Sequence, residues 1–421
     1  MKFAHLADTH LGYRQFGLIE REKDFYEVFG KVIDKIIEEN VDFVIHSGDL
    51  FESTKPSPMA LLEFQKGLLK LKGAGIPMYA IAGSHDEAFH KGAIPPHVIF
   101  KKMGLKVISP INTNYMQGDI FIAGLPFYPA SQINVLKSKL AELSKKAADH
   151  EKSILVLHQA INFDEAGHHE LEMDDIPDNF NYYALGHIHR YIERDFGKGK
   201  LVYPGSSEVW KTDELNDYKI NGKGFVVVDM DGQKPTVKRV AVDISRAFVQ
   251  RSINFDSLDS NIAGLKETIK SFDKKPVLTL NVKNMDSDSA SVYDTIKNEL
   301  EDLSLIIRPT FSKREETIDE IIYKNESISA EQLIEEKLLG YGNSEVDELA
   351  LKLYDLLSKD KIDESQEVLD QFFEKHYVSI DEEIEFTTEN LQNDEDEEEE
   401  IVEEAPEEES NVQVTFKGGL E

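Results

Sequence analysis

The N-terminal half of the chain alternates short apolar runs with amphipathic stretches. KFAHLA at the start is too short for a helix. The stretch REKDFYEVFGKVIDKIIEEN that follows carries Phe25, Val28, Phe29, Val32, Ile33, Ile36 and Ile37 at the spacing of a helix with one buried face. DFVIHSGD predicts a strand, Pro58 to Lys72 a helix, and IPMYAIAGS a further strand. This βαβα order predicts parallel strands joined by right-handed crossovers. From IFIAGLP onward the apolar runs crowd together: SILVLHQ after one helix, then YYALGHIH, LVYPGSS and GKGFVVVDMDG. So little chain separates them that a mixed or antiparallel sheet is expected there. The fold class that follows is α/β, a two-sheet sandwich flanked by helices over residues 1–245, with its last strand closing near Val242.

Residues 246–315 read as a separate small α/β unit. A strand at AFVQRSINF, a helix from Leu258 to Phe272, a strand at PVLTLNV, a helix from Ser289 to Leu300 and a strand at LSLIIRPTF follow one another. Residues 316–380 are helical in pattern, with Leu333, Ile334, Leu338 and Leu339, then Val346, Leu349, Leu353, Leu356 and Leu357, then Val368, Leu369, Phe372 and Phe373. Helices this short form a weak core alone, so their apolar faces serve either a partner or the preceding unit.

Charge changes the picture at the C-terminus. The chain of 421 residues has a formal charge of −33, and Asp381 to Glu409 supplies 17 acidic residues with no Lys or Arg. Residues 381–421 are therefore expected to be a disordered acidic tail. No apolar stretch reaches membrane-spanning length and no basic leader precedes the first strand, so a soluble cytoplasmic protein, associated with the nucleoid if it handles DNA, is expected. The absence of cysteine rules out disulfides and thiolate metal sites.

The candidate chemistry sits at the ends of the apolar runs. Asp8 and His10 close FAHLADTH, Asp49 closes DFVIHSGD, and His85 follows MYAIAGS; His158 ends ILVLH, and His187 and His189 end YYALGHIH. Loops at the C-terminal edge of an α/β sheet are where such folds keep their chemistry. Carboxylate and imidazole together suit manganese, iron or zinc, and the set reads as that of a metal-dependent hydrolase. Asp-x-His alone arises by chance in about half of chains this long, and Gly-His-x-His in only a few per hundred. The ordered conjunction carries the argument. His5 and His46 alternate into strands and read as packed histidines, while His168 and His169 lie in a polar loop and read as solvated.

The series Asp8-x-His10, Gly48-Asp49, Gly83-Ser84-His85-Asp86, His158 and Gly186-His187-x-His189 resembles the calcineurin-like metallophosphoesterase superfamily. HLADTHLGYRQ, REKDF, SGDLF followed by KPSP, and YYALGHIH narrow the resemblance to the meiotic recombination eleven family of double-strand-break nucleases, relatives of bacterial SbcD. The resemblance implies two manganese ions: Asp8, His10 and His189 holding one, His158 and His187 the other, with Asp49 bridging. Ser84 stands where the family commonly has a metal-ligating asparagine. His85 would protonate the leaving 3′-oxygen, with Asp86 orienting it. The resemblance further implies 3′-to-5′ exonuclease activity on duplex ends and endonuclease activity on single strands. Residues 246–315 would cap the DNA. A homodimer through helices near the N-terminal domain, and a Rad-fifty-type ABC ATPase bound by the C-terminal helices, are also implied.

Two departures and a charge anomaly keep other readings open. Ser84 is a shorter and weaker ligand than asparagine. Glu52 replaces a histidine common after the GDLF segment, and a glutamate cannot donate a proton near neutral pH unless its pKa is raised. Basic residues that could meet phosphate are scattered, at Arg14, Lys55 and Lys211, each equally readable as a solvated charge. Weak DNA affinity of the isolated chain is expected. The alternatives are a phosphatase or nucleotidase of the same superfamily, and a DNA-end-binding scaffold with an incomplete second metal site.

Overall fold

The apolar runs become two six-stranded sheets. In the first, β1 (Lys2–Leu6), β2 (Phe43–Ser47), β3 (Met78–Ile81) and β4 (Lys106–Val107) are parallel neighbours. The second contains β5 (Asn114–Gln117), β6 (Ile120–Gly124), β7 (Lys152–His158), β8 (Tyr182–Gly186), β9 (Ile192–Phe196) and β10 (Gly199–Tyr203), in the order β5-β6-β7-β8-β10-β9. The chain then returns to the first sheet as β11 (Lys223–Asp229), antiparallel to β1, and β12 (Thr236–Val242). The second sheet is mixed, as expected, but its interior pairs β6-β7-β8-β10 are all parallel and only the edge strands run antiparallel. In this computed structural model the described residues are 1–87, 94–162, 169–285, 288–313, 344–359, 361–362, 364–373 and 375.

Burial on both faces explains why these strands read as unbroken apolar runs. Phe3, Phe43, Ile45, Ile154, Val156, Tyr182 and Ala184 point between the sheets. Their neighbours alternate outward. Ala4, Leu6 and Val44 pack under helices α1 (Ile19–Glu38) and α2 (Pro58–Gly73). Leu155, Leu157, Tyr183 and Leu185 pack under α3 (Ile133–Ala147) through Leu136, Leu140 and Leu143. Ser57 caps α2 by accepting a hydrogen bond from the Ala60 amide, with Pro58 at the first helical position. The polar edge strands β5 and β9 and the short helix α4 (Leu215–Asn221) carry no such apolar signature and were not foreseen.

Beyond β12 a third sheet forms from β13 (Phe248–Asn254), β14 (Val277–Met285) and β15 (Ile306–Lys313), all parallel. Helices α5 (Leu258–Ile269) and α6 (Ser289–Leu300) cover it through Ile262, Leu265, Val292 and Ile296. Residues Met1–Arg314 form one compact unit, in which this sheet is joined to α1 by a buried ionic network. Asp24 Oδ2 accepts from Arg21 Nη1 and Arg246 Nε, both at 2.7 Å, while Arg21, fully buried, also donates to Glu208 at 3.3 Å. The second unit, Glu315–Glu421, includes α7 (Ser344–Ser358) and helical residues 364–373. The Leu333–Leu339 stretch and the acidic run from Asp381 lie outside the described residues, as do His90, His168 and His376.

Candidate metal centre

Parallel strands that begin in register also end together. Leu6 pairs with His46, Ser47 with Ile81, and His158 with Gly186, so the loops after β1, β2, β3, β7 and β8 open on one edge of the sandwich. The first two loops are stitched to each other: the Asp8 amide donates to Gly48 O and the His10 amide to Asp49 O, each at 3.0 Å. The turn is tight enough that Asp8, His10, Asp49 and His187 all adopt positive φ, at 53°, 44°, 53° and 91°. Non-glycine residues held there carry backbone strain, which concentrates at functional sites. Gly83 and Gly186 have no room for a side chain, since a Cβ would collide with the Asp49 carboxylate at the first and with Ser47 O and His158 at the second.

The predicted ligands converge in two groups. The ligand atoms of Asp8, His10 and His189 lie within 4.8 Å of one another, and so do those of Asp49, His158 and His187. Asp49 stands between the groups: its Oδ2 is 3.1 Å from His158 Nε2 and 3.8 Å from His10 Nε2, while its Oδ1 accepts the His85 amide at 2.8 Å. Ser84 Oγ lies 3.3 Å from Asp49 Oδ2 and 3.5 Å from His187 Nδ1, on the side of the second group.

The far nitrogens of the histidines show that this cluster fits a cation. His10 Nδ1 donates to Glu52 and His189 Nδ1 to Glu214, each at 2.8 Å, which leaves two Nε2 lone pairs facing each other at 3.2 Å. His158 Nδ1 donates to Ser47 O at 2.8 Å, and its fully buried Nε2 faces Asp49 Oδ2 at 3.1 Å with no other partner among the described residues. Lone pairs turned inward on buried rings, backed by carboxylates or carbonyls on the other side, are the arrangement of metal-ligating histidine. Electrostatics point the same way. Burial pushes the Asp8 carboxyl up, whereas Asp49 is held well below the usual range because His158, His10 and His85 outweigh its burial. Burial and the charge of His158 bring His187 down to about 3, a neutral ring ready to ligate. Two buried carboxylates this close are costly without cations.

His85 is half-buried beside the first group, edge-on to the His10 ring at 4.8 Å, and its ligand atom lies within 4.8 Å of those of His10 and Glu52. Its Nδ1 donates to the Glu52 carbonyl at 3.2 Å and lies 3.5 Å from Glu52 Oε1; burial lowers its pKa, but Glu52 and Asp49 bring it up to about 9. Asp86 does not orient it. That fully buried carboxylate accepts the Gly83 amide at 2.6 Å and the Phe51 amide at 3.0 Å, pinning two loops together, and its Oδ2 lies 3.6 Å from His97 Nε2. Burial would raise Glu52, but its hydrogen bonds with His10 and His85 hold it down to about 2, so it remains an acceptor.

His5 and His46 are core histidines, as expected: His5 bridges Tyr182 and Ser47, and His46 meets Thr9. His169 sits at the surface beside Glu172. Of the scattered cations, Arg14 pairs with Glu22, Lys55 is exposed, and Lys211 lies 4.4 Å over the ring of Trp210, at the rim of a cleft of about 640 Å³ over the metal-ligand groups. Glu214 and Trp210 were not singled out from the sequence. Trp210 stacks on His10 at 5.2 Å and meets His189 and His85 edge-on at 5.0 and 5.5 Å. Neither belongs to a motif, and nothing in local spacing marks them.

A family model for calcineurin-like phosphoesterases matches residues 1–191. Proteins called "DNA double-strand break repair protein Mre11" are similar over most of the chain. That of Methanococcus maripaludis is 34% identical over 343 residues, covering 80% of this chain and 90% of its own length. The Methanocaldococcus jannaschii protein is 35% identical, covering 89% and 98%. That of Saccharolobus solfataricus is 31% identical, again covering 89% and 98%. With these identities running over most of both chains, the chain belongs to the Mre11 family within the calcineurin-like phosphoesterases, and so to the metal-dependent phosphodiesterases.

Proposed function

We propose that the protein is a manganese-dependent nuclease of DNA double-strand break repair, with 3′-to-5′ exonuclease activity on duplex ends and endonuclease activity on single strands. The observation that carries this reading is the pair of ligand groups with Asp49 Oδ2 between them. Asp8, His10 and His189 would hold one ion, His158 and His187 the other, and Asp49 would serve both. When bound, two divalent ions supply Lewis acidity toward a phosphodiester and toward the attacking water. Residues do the rest. His85 protonates the departing 3′-oxygen, a role supported by its place in the lining of the cleft and its raised pKa. The backbone fold of the loops fixes Asp49 so that little reorganises during the reaction.

Apolar side chains outside the main core support the partner readings. Met59, Leu62 and Leu69 on α2, with Ile94 and Ile99 nearby, are exposed and support a homodimer through this face. Leu349, Val368 and Phe372 line a groove between α7 and residues 364–373, which supports binding of a Rad-fifty-type ABC ATPase there. In this reading residues 246–315 cap the DNA, and the chain works at the nucleoid. No helix among the described residues is long and apolar enough to cross a membrane.

Titrating manganese against labelled duplex, a single-stranded hairpin and para-nitrophenyl phosphate tests the reading. Cleavage of both DNA substrates is expected. Hydrolysis of the small ester alone would mark a phosphatase, and DNA binding without cleavage would mark an end-binding scaffold. The scaffold reading rests on Ser84, whose hydroxyl offers the second ion less than a carboxamide does.

A further inference from the structure

Three ring systems of the site converge on one carboxylate. Glu52 Oε2 accepts a hydrogen bond from His10 Nδ1 at 2.8 Å and another from Trp210 Nε1 at 3.2 Å. Oε1 lies 3.5 Å from His85 Nδ1, the same nitrogen that donates to the Glu52 carbonyl. The side chain is 24% exposed, so it stands at the mouth of the site rather than in the core.

The chemistry of these donors leaves few choices. Indole N–H only donates, and an ionised carboxylate only accepts, so His10 must carry its proton on Nδ1 and present the Nε2 lone pair toward Asp8 and His189. His85 likewise turns Nδ1–H to Glu52, which leaves Nε2 as the nitrogen available to a substrate. With its edge tied to Glu52, Trp210 keeps its face against His10, at an interplanar angle of 25°. A histidine at position 52, as the resemblance would have it, could accept at one nitrogen only and could not serve all three rings. The glutamate is thus a feature of this chain with a geometric task of its own.

We infer that Glu52 is a positioning residue shared by metal binding and leaving-group protonation: one carboxylate fixes the His10 tautomer that offers Nε2 to a cation and holds His85 and Trp210 in place. The inference rests on the nuclease reading above for what His85 does, and on geometry alone for the tautomer of His10. Its consequence is coupling. A change at Glu52 loosens the ion held by Asp8, His10 and His189 and slows turnover through His85 as well.

The test uses the full chain and Glu52→Gln, which keeps size and shape but has one carbonyl oxygen for three donors. On the metal-free proteins, imidazole ¹⁵N shifts report the His10 tautomer, and emission from Trp210, the single tryptophan of the chain, reports the indole contact. Manganese calorimetry and DNA cleavage follow. Glu52→Gln is expected to lose the Nδ1–H preference of His10, shift the emission and weaken the tighter manganese step about 10–100-fold. It should also lower kcat with little change in KM. In a His85→Gln background the same change should lower kcat less, because the route through His85 is already gone, while the loss of manganese affinity persists. Glu52→Asp, which retains an anionic acceptor, should recover part of the affinity. Wild-type tautomer, emission and manganese affinity in Glu52→Gln would overturn the inference, as would an undiminished effect on kcat in the His85→Gln background. A wild type that neither binds manganese nor cuts DNA would sink the nuclease reading instead, and the two metal-free readouts would still decide the role of Glu52.

Discussion

The two candidate ligand groups lie on either side of the Asp49 carboxylate but are built differently. In the group of Asp8, His10 and His189, both imidazoles are backed by carboxylates at 2.8 Å, Glu52 behind one and Glu214 behind the other. Glu214 is itself braced by Ser206 at 3.0 Å and by Lys223. In the group of Asp49, His158 and His187, the backing is a neutral carbonyl at His158 and, at His187 among the described residues, Glu170 at 3.7 Å from Nε2, beyond hydrogen-bond distance. A carboxylate behind an imidazole makes the ring a better donor and fixes its orientation. In the two-ion reading proposed above, this difference predicts unequal affinity: a tight step at the carboxylate-backed group and a weaker one beside Ser84.

The change that breaks this contrast most completely is Asp49→Ala. A carboxylate common to both groups takes both steps with it, so calorimetry should register neither ion at ordinary concentrations, and cleavage should fall by on the order of 10³-fold or more. Selective loss of one step would show that Asp49 does not bridge. His85→Gln should separate chemistry from binding: both manganese steps and DNA affinity persist while kcat drops about 10²–10⁴-fold. If manganese is lost in that variant, His85 is a ligand.

Next in size, Glu214→Gln should weaken the tighter step about 10–100-fold and leave the weaker one alone. Equal weakening of both steps would mean the support is not local to His189. Asp24→Asn sharpens the comparison from outside, since it should change stability and neither manganese step. Burial would raise the Asp24 carboxyl, but hydrogen bonds and charge from Arg246 and Arg21 outweigh it and hold it below the usual range. A lowered folded-state pKa stabilises the protein above the ordinary aspartate value of about 4, and that stabilisation is lost as pH falls through the folded value. Removing the charge leaves two buried guanidinium groups short of a partner and should cost about 3–5 kcal/mol at neutral pH. Denaturant melts at pH 7 and pH 3 check this, with the gap between variant and wild type narrowing in acid.

Much of this site is legible in the sequence because parallel strands end at one edge. Each of Asp8, Asp49, His158 and His187 follows an apolar run whose two faces are both buried, so spacing alone puts them side by side. The supports are not legible. Glu52 and His10 are separated by 42 residues, and Glu214 and His189 by 25, with no local pattern relating them. The position of Glu52 attracted notice only as a departure from histidine, and its task follows from three donors meeting in space. Asp86 illustrates the opposite error: adjacency to His85 suggested an orienting role, yet its side chain turns inward to backbone amides. Strands such as β7 announce themselves by apolar continuity, whereas β9, IERDF at a sheet edge, has polar residues facing solvent and little to distinguish it from a loop.

The smallest effect bears most directly on the central contrast. Asparagine at position 84 would offer a carbonyl oxygen about one bond further out than the Ser84 hydroxyl and suits manganese better. Manganese calorimetry on wild type and Ser84→Asn should give two ions per chain in both, with unequal affinities in wild type. Only the weaker step should tighten in the variant, and half-maximal cleavage should need less manganese. Equal affinities at both steps in wild type, or a single ion bound at millimolar manganese, would contradict the account.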